Sequence, residues 1–311
     1  MPIVSVVIPL YNKGPYIARA VKSVLTQTFQ DFEVVVVDDG STDNGVEVVL
    51  GFNDTRIHLT QQENQGVSAA RNQGIEASEG ELIAFLDADD EWLPSFLETI
   101  LCLNKQYPDA GMLILTHIEN NQMNNIKKIK YTSIPDHPWE GILPNYFKSV
   151  TLDNKLICSS SVCIPKYIFN EIGVFKIKVL WGEDEDLWGR IAIKYPIVFS
   201  THVGTIVHIV ESKINLLRKR INYTKIHPFI SEANNLISEN LVPNSILEDL
   251  KEYIAFLQIL TASYHLDLGN RNFVRQILKE CNTNRFKKEK LWLHIWSFVP
   301  TTIYKMLSRF P

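Results

Sequence analysis

Three carboxylates, Asp87, Asp89 and Asp90, follow directly on the apolar run Ile83, Ala84, Phe85, Leu86, with only Ala88 between the first two. Acids are seldom buried unless paired or metal-bound, and three side by side repel one another unless a divalent ion or solvent separates them. The plainer alternative is a solvated acidic turn ahead of a helix, because acids favour turns and helix starts for unrelated reasons. Two other acidic groups bear on the choice. In VVVVDDGSTD, one of Asp38 and Asp39 suffices to cap the helix expected near Asp43, which leaves the other for a ligand N–H or hydroxyl. In GEDEDLWGR, the run Glu183 to Asp186 suits a helix N-terminus on dipole grounds alone, or supplies a carboxylate able to take a proton from a hydroxyl.

The elements that must position these groups follow from hydrophobic periodicity. Val4 to Leu10 is a β-branched strand, residues 16–28 place Ile17, Val21, Val24 and Leu25 at helical spacing, and Glu33 to Val37 is a second strand, which together make a βαβ unit. Further helices are expected near 43–50, 67–77 and 94–107, and further strands near 57–60, up to Asp87, and at 111–116. Strands separated by helices imply a mostly parallel sheet with covered faces, an α/β fold. Residues 118–141 break the rhythm and read as a loop with one strand at 126–132. A second unit follows, with a strand at 157–164, a helix at 166–172 and the helix of the acidic quartet, closed by Pro196. Beyond about residue 212 the pattern is all helical, so residues 1–212 read as the catalytic domain and 213–311 as a helical extension.

In open parallel sheets ligands lie beyond the carboxyl ends of the strands. The first strand ends in Pro9, Leu10, Tyr11 and Asn12, so Tyr11 offers a ring for stacking or a half-buried packing residue. A dinucleotide loop needs GxGxxG after that strand, where PLYNKGPY stands instead, and no GxxxxGK followed by Ser or Thr exists. What fits is a diphosphate held through a hard divalent ion, Mg2+ or Mn2+.

A formal charge of −4 argues against nucleic acid as the main partner. Cys102, Cys158, Cys163 and Cys281 form no CxxC pair and read as buried thiols in a reducing compartment. The N-terminal run has no basic leader, and no apolar run reaches the roughly eighteen residues of a membrane span. From Arg285 onward, basic residues (Arg285, Lys287, Lys288, Lys290, Lys305, Arg309) outnumber the single acid Glu289 and alternate with Trp292, Trp296, Phe298, Tyr304 and Phe310. Residues 285–311 therefore read either as a membrane-surface segment or as a terminal helix docked on its own domain.

Four strings in order, SVVIPLYNK, VVVVDDGSTD, NQGVSAARNQGIEASEGELIAFLDADD and GEDEDLWGR, resemble a family 2 glycosyltransferase of the GT-A, Rossmann-like fold over about residues 3–210. The resemblance implies transfer of a sugar, with inversion, from a nucleoside-diphosphate donor, expected to be a UDP-sugar, to an acceptor hydroxyl in polysaccharide or lipopolysaccharide synthesis. It implies that Pro9, Tyr11 and Asp39 line the nucleoside pocket, with Asp38 competing for the base-binding role of Asp39, and that Arg71 lies near the base or phosphates. Asp87, beside Ala88, would face the ribose or metal, Asp89 would ligate the metal, and Asp184 would be the base. Glu183 and Asp186 would orient the acceptor or pair with Arg190, and Trp181 could stack on a sugar while Trp188 packs in the core. His208 falls where some members place a third metal ligand, although Thr205, Ile206 and Val207 stand where the family's Tyr-Arg-x-His string would begin. The enzyme would meet a glycan or lipid-linked acceptor at the cytoplasmic face of a membrane. A sugar nucleotidyltransferase is disfavoured by the single Lys and Gly of PLYNKGPY, and a non-catalytic binding module by Asp184 beside an intact Asp87 to Asp89.

Overall fold

The computed structural model describes residues 1–121, 125–136, 138–179, 181–209, 226–301 and 303–304. It divides into two compact units, Met1–Lys178 with Glu183–Val210, and Val179–Gly182 with Glu211–Pro311. The boundary expected at 212/213 lies outside the described residues, as do Lys305, Arg309 and Phe310.

The first unit is a ten-stranded sheet flanked by helices. Strands β1 (Val4–Leu10), β2 (Phe32–Asp38), β3 (Ile57–Gln61) and β4 (Leu82–Phe85) alternate with helices α1 (Gly14–Leu25), α2 (Gly45–Leu50) and α3 (Val67–Ala77). Then come β5 (Glu91–Trp92), α4 (Phe96–Gln106), β6 (Met112–Asn121), β7 (Ile126–Lys128), β8 (Glu140–Ile142), α5 (Tyr146–Leu152), β9 (Val162–Pro165), α6 (Lys166–Ile172), α7 (Glu183–Lys194) and β10 (Ile197–Ile209). The spatial order is β3-β2-β1-β4-β9-β6-β10-β5, with β7 beside β6 and β8 beside β10. Most paired residues run parallel, in β1–β2, β1–β4, β2–β3 and β6–β10, while β9 enters antiparallel between β4 and β6.

The strands alternate their side chains between two apolar layers. Val4, Val6, Ile8, Val34, Val36 and Ala84 pack with Ile17, Val21 and Val24 of α1 and with Phe96, Leu97 and Ile100 of α4. Val35 and Val37 face the opposite side with Ala70 of α3. There Phe85 meets Phe169 and Phe175 edge-on, and Trp188 of α7 lies 6.3 Å from it, so an aromatic cluster seats α7 under the end of β4. Burying such rings contributes about 1.5–3 kcal/mol each. Gly74 lets α3 lie directly on β1, since a Cβ there would stand 2.3 Å from Cγ1 of Val7.

The described residues of the irregular stretch, 118–121, 125–136 and 138–141, hold more strand than their composition implies. Strand β6 continues to Asn121, β7 is only three residues long, and β8 and α5 were not legible as periodic segments. The thiols are all free, but Cys102 is exposed, on the outer side of α4 from its buried residues Phe96, Leu97, Ile100 and Leu103.

The second unit holds α8 (Pro228–Ser238), α9 (Asn244–Asp267), α10 (Arg271–Glu280) and α11 (Lys287–Trp296). Its core joins Ala255, Ile259, Ala262 and Leu266 of α9 to Val274, Ile277 and Leu278 of α10, and to Leu293 and Tyr304. No helix among the described residues is long and apolar enough to cross a membrane.

Candidate active site

The first two strand ends are tied together by side chains. Asn12 takes a left-handed conformation (φ 50°), donates its N–H to Ser41 Oγ (3.0 Å) and accepts the Thr42 N–H on Oδ1 (2.8 Å). Gly14 donates to Asp43 Oδ2 (2.8 Å) in a space so narrow that a Cβ would lie 2.3 Å from Asn44 Oδ1. Tyr11 stands exposed beside this turn and Pro9 is partly buried. Asp38 and Asp39 are both buried. Asp38 accepts from the Ser41 N–H and from Gln61 Nε2, and Asp39 accepts from the Gln65 and Gly66 N–H groups and Gln62 Nε2. Asp39 thus gathers the β3–α3 loop, and both carboxylates retain lone pairs beyond these bonds.

At the third strand end one oxygen from each of Asp87, Asp89 and Asp90 lies within 4.8 Å of the others. Asp89 and Asp90 are buried, and Asp87 keeps about a third of its side chain (35%) exposed. Lys13 donates to Asp89 Oδ2 at 2.7 Å, and the Arg19 guanidinium donates to the Asp89 carbonyl. Asp90 accepts the Ser160 hydroxyl (2.6 Å) and the His208 N–H (3.1 Å). Ser160 Oγ also receives the Asp87 N–H (3.1 Å), and its carbonyl accepts from Trp92 Nε1 and Thr205 Oγ1. This serine fixes the acidic turn from below. An all-oxygen set of three carboxylates this close fits a hard cation such as Mg2+ or Mn2+.

Asp184 enters from the first turn of α7, where four successive acids face the positive end of the helix dipole. It accepts the Ser159 hydroxyl (3.0 Å) and the Glu185 N–H (2.9 Å). Burial, and after it the Glu185 carboxylate, push its pKa above the usual Asp value, against the pull of Arg71 and these two hydrogen bonds. Arg71 is itself buried, bridging Asp87 (3.0 Å) and Glu183 (3.3 Å) with its guanidinium 5.3 Å from the Phe175 ring. Burial works against its charge, but Asp87, Glu183 and Asp184 outweigh it and keep its pKa above the ordinary arginine value. Fully buried Asp186 pairs with Arg190 (2.9 Å) and Lys176 (2.9 Å), so it secures α7 while Glu183 turns to Arg71.

Two expected site residues make other side-chain contacts. The His208 ring donates to or accepts from Glu91 (2.9 Å), neither ring nitrogen joins the Asp87, Asp89, Asp90 group, and only its backbone N–H reaches the acidic turn. Trp181 is buried in the helical unit, edge-on to His227 (4.9 Å) and Tyr264 (6.2 Å), and presents no open face for a sugar. Trp188 is in the core, as expected. Sequence reasoning missed Ser159, Ser160, Lys13 and Arg19, and gave Asp90 no role of its own. The run Ser159, Ser160, Ser161 and a lysine one residue past a ligand-like strand end were the available signals.

An uncharacterized glycosyltransferase of Rickettsia felis is 32% identical over 209 residues, covering 65% of this chain and 33% of that protein. Glycosyltransferase GlyG of Streptococcus pneumoniae is 42% identical over 115 residues, 36% of this chain and 38% of its own. The chain therefore spans about a third of the length of such curated relatives. Among solved structures, S. aureus TarS 1–349 in complex with UDP-GlcNAc matches 100% of this chain and 93% of its own at TM-score 0.57 and 16% identity. Mannosyltransferase PcManGT of Pyrobaculum calidifontis, in complex with GDP-Man and Mn2+, matches 99% and 88% at TM-score 0.62 and 17% identity. These likenesses establish the GT-A fold. Residues 5–171, more than half of the sequence, match the family described as Glycosyl transferase family 2. That match runs from β1 into α6, over the strand ends that carry Tyr11, Asp39, Asp87 and Asp89, and the chain belongs to glycosyl transferase family 2.

Proposed function

We propose that this chain moves a sugar from a nucleoside-diphosphate donor, a UDP-sugar in the first instance, to a hydroxyl of a glycan or lipid-linked glycan in surface polysaccharide or lipopolysaccharide synthesis, with inversion at the anomeric carbon. The observation that carries the reading is the Ser159–Ser160 pair. One hydroxyl holds Asp184 and the next holds Asp90, so a proton-accepting carboxylate and an acidic cation cradle share one rigid turn. Asp87 and Asp89 would hold a Mg2+ or Mn2+ ion, which supplies Lewis acidity to the departing diphosphate when bound. Asp184 takes the proton of the attacking hydroxyl, and its raised proton affinity suits it to that task. Arg71 keeps Asp184 within an ionised environment, and Tyr11 with Asp38 and Asp39 flanks the nucleoside. UDP-GlcNAc in TarS and GDP-Man in PcManGT support a nucleotide-sugar donor.

The helical unit supports work at a membrane surface on the cytoplasmic side. Leu291, Trp292, Ile295 and Phe298 are exposed on and just beyond α11, next to exposed Lys287 and Lys288. An apolar stripe with basic neighbours fits an anionic lipid surface.

The test is a panel of UDP-, GDP- and dTDP-sugars with Mn2+ and with EDTA. Turnover of one donor class in Mn2+ that collapses in EDTA is expected. Full activity in EDTA would remove the metal assignment, and donor inertness across the panel would remove the transferase reading.

A further inference from the structure

We propose that Lys13 is a resident counter-cation of Asp89 at the acidic strand end, and that a divalent ion enters as its ammonium leaves; the inference rests on the metal-dependent transferase reading above. Asp89 is buried, and Lys13 Nζ lies 2.7 Å from its Oδ2 while the lysine side chain stays 30% exposed. Arg19 meanwhile holds the carbonyl of the same residue, and both cations lie against the Tyr16 ring, at 5.7 and 5.9 Å. Three carboxylates this close favour arrangements that keep cations beside them, Arg71 on Asp87 (3.0 Å) among them. Lys13 and Arg19, the two that reach Asp89, differ in kind. Arg19 binds the backbone and can stay when the side chain changes partner. Lys13 binds the carboxylate oxygen itself, and an ammonium at 2.7 Å would repel a divalent ion seated on the same group.

A lysine suits a resident that must leave. Its charge is compact, its four-carbon stem is flexible, and it makes no rigid planar fork. The stem is anchored where Asn12 and Gly14 pin the turn, so only the arm need move. The diphosphate of a donor brings negative charge to the same strand ends and offers the displaced ammonium a new partner. Metal entry is then coupled to donor entry. By linkage, whatever UDP contributes to metal affinity the metal contributes to UDP affinity.

The experiment is a Mn2+ titration followed by electron paramagnetic resonance on the full chain, with and without UDP, for wild type, Lys13→Met and Lys13→Gln. Wild type should bind Mn2+ weakly alone and far more tightly with UDP. Both variants should bind Mn2+ alone about tenfold more tightly than wild type, and the enhancement by UDP should shrink, within the range of ordinary coupling factors. Equal or weaker donor-free affinity in the variants, with Mn2+ binding intact in wild type plus UDP, overturns the Lys13 inference alone. No Mn2+ binding by any of the three proteins, with or without UDP, overturns the metal reading and this inference together. The two variants place different groups beside Asp89, so a folding defect in one leaves the other to decide, with thermal melts as the control.

Discussion

Replacing Asp184 by Asn separates the charge of this carboxylate from its shape. The amide oxygen can go on accepting the Glu185 N–H, now 2.9 Å from Oδ1, and the Ser159 hydroxyl at 3.0 Å can turn to accept from the new NH2. What disappears is the proton acceptor. A positioned base contributes roughly 10²- to 10⁴-fold, so kcat should fall by that factor, about 3–5 kcal/mol of barrier. Stability should move the other way. The folded-state pKa of Asp184 is raised above 3.8, chiefly by burial and then by Glu185, so the folded protein holds the proton more tightly than the unfolded chain. The stability linked to this group is complete below pH 3.8 and is lost as pH rises through the raised value. At neutral pH the ionised side chain is therefore a net cost, and the neutral isostere should melt higher. The assays are initial rates across pH, thermal melts at neutral pH, and UDP binding. Wild-type kcat/KM should decline on the acid side at a pH above 3.8, and that limb should be absent from the residual activity of the variant. A variant that keeps more than about a tenth of wild-type kcat refutes the base assignment. So does one that loses rate together with UDP binding and melting temperature, which would mark a structural role.

Two further outcomes are expected. Ser160→Ala removes one donor to Asp90 and the acceptor of the Asp87 N–H, leaving that N–H unmatched and Asp90 less firmly held. Urea unfolding should show a loss of about 1–3 kcal/mol, accompanied by weaker Mn2+ binding, and stability unchanged within about 0.5 kcal/mol would deny the serine its clamping role. The full chain should float with phosphatidylcholine vesicles containing phosphatidylglycerol and not with phosphatidylcholine alone, and a Leu291→Gln, Trp292→Gln, Ile295→Gln variant should lose flotation. Flotation unaffected by these exposed substitutions would remove α11 from the membrane face.

The strand ends were legible because each is local in sequence. A β-branched run followed by Tyr11 and Asn12, by Asp38 and Asp39, or by Asp87 to Asp90 announces its own position, and the helices between announce a parallel sheet. The helical extension was legible for the same reason, in its 3.6-residue period. What stayed hidden is which group meets which across the sheet. Lys13 reaches Asp89 over 76 residues, Ser160 reaches Asp90 over 70, and Arg71 reaches Glu183 over 112. Such pairings depend on strand order, and above all on β9 entering antiparallel between β4 and β6, which no periodicity encodes.

His208 and Asp90 illustrate the difference between residue type and position. In the sequence His208 stood as a third ligand without the family's usual flanking string, and Asp90 had no assigned role. Strand β10 instead pairs with β5, which brings the His208 ring to Glu91 and its backbone N–H to Asp90. Asp90 therefore shares the cation cradle with Asp87 and Asp89 while spending hydrogen bonds on Ser160 and His208. The Ser160 and His208 donors fix the orientation of this carboxylate. The acidic turn is thus preorganised by residues that no ligand pattern in the sequence singles out, and it owes its geometry to a sheet edge and a serine turn more than to its own three acids.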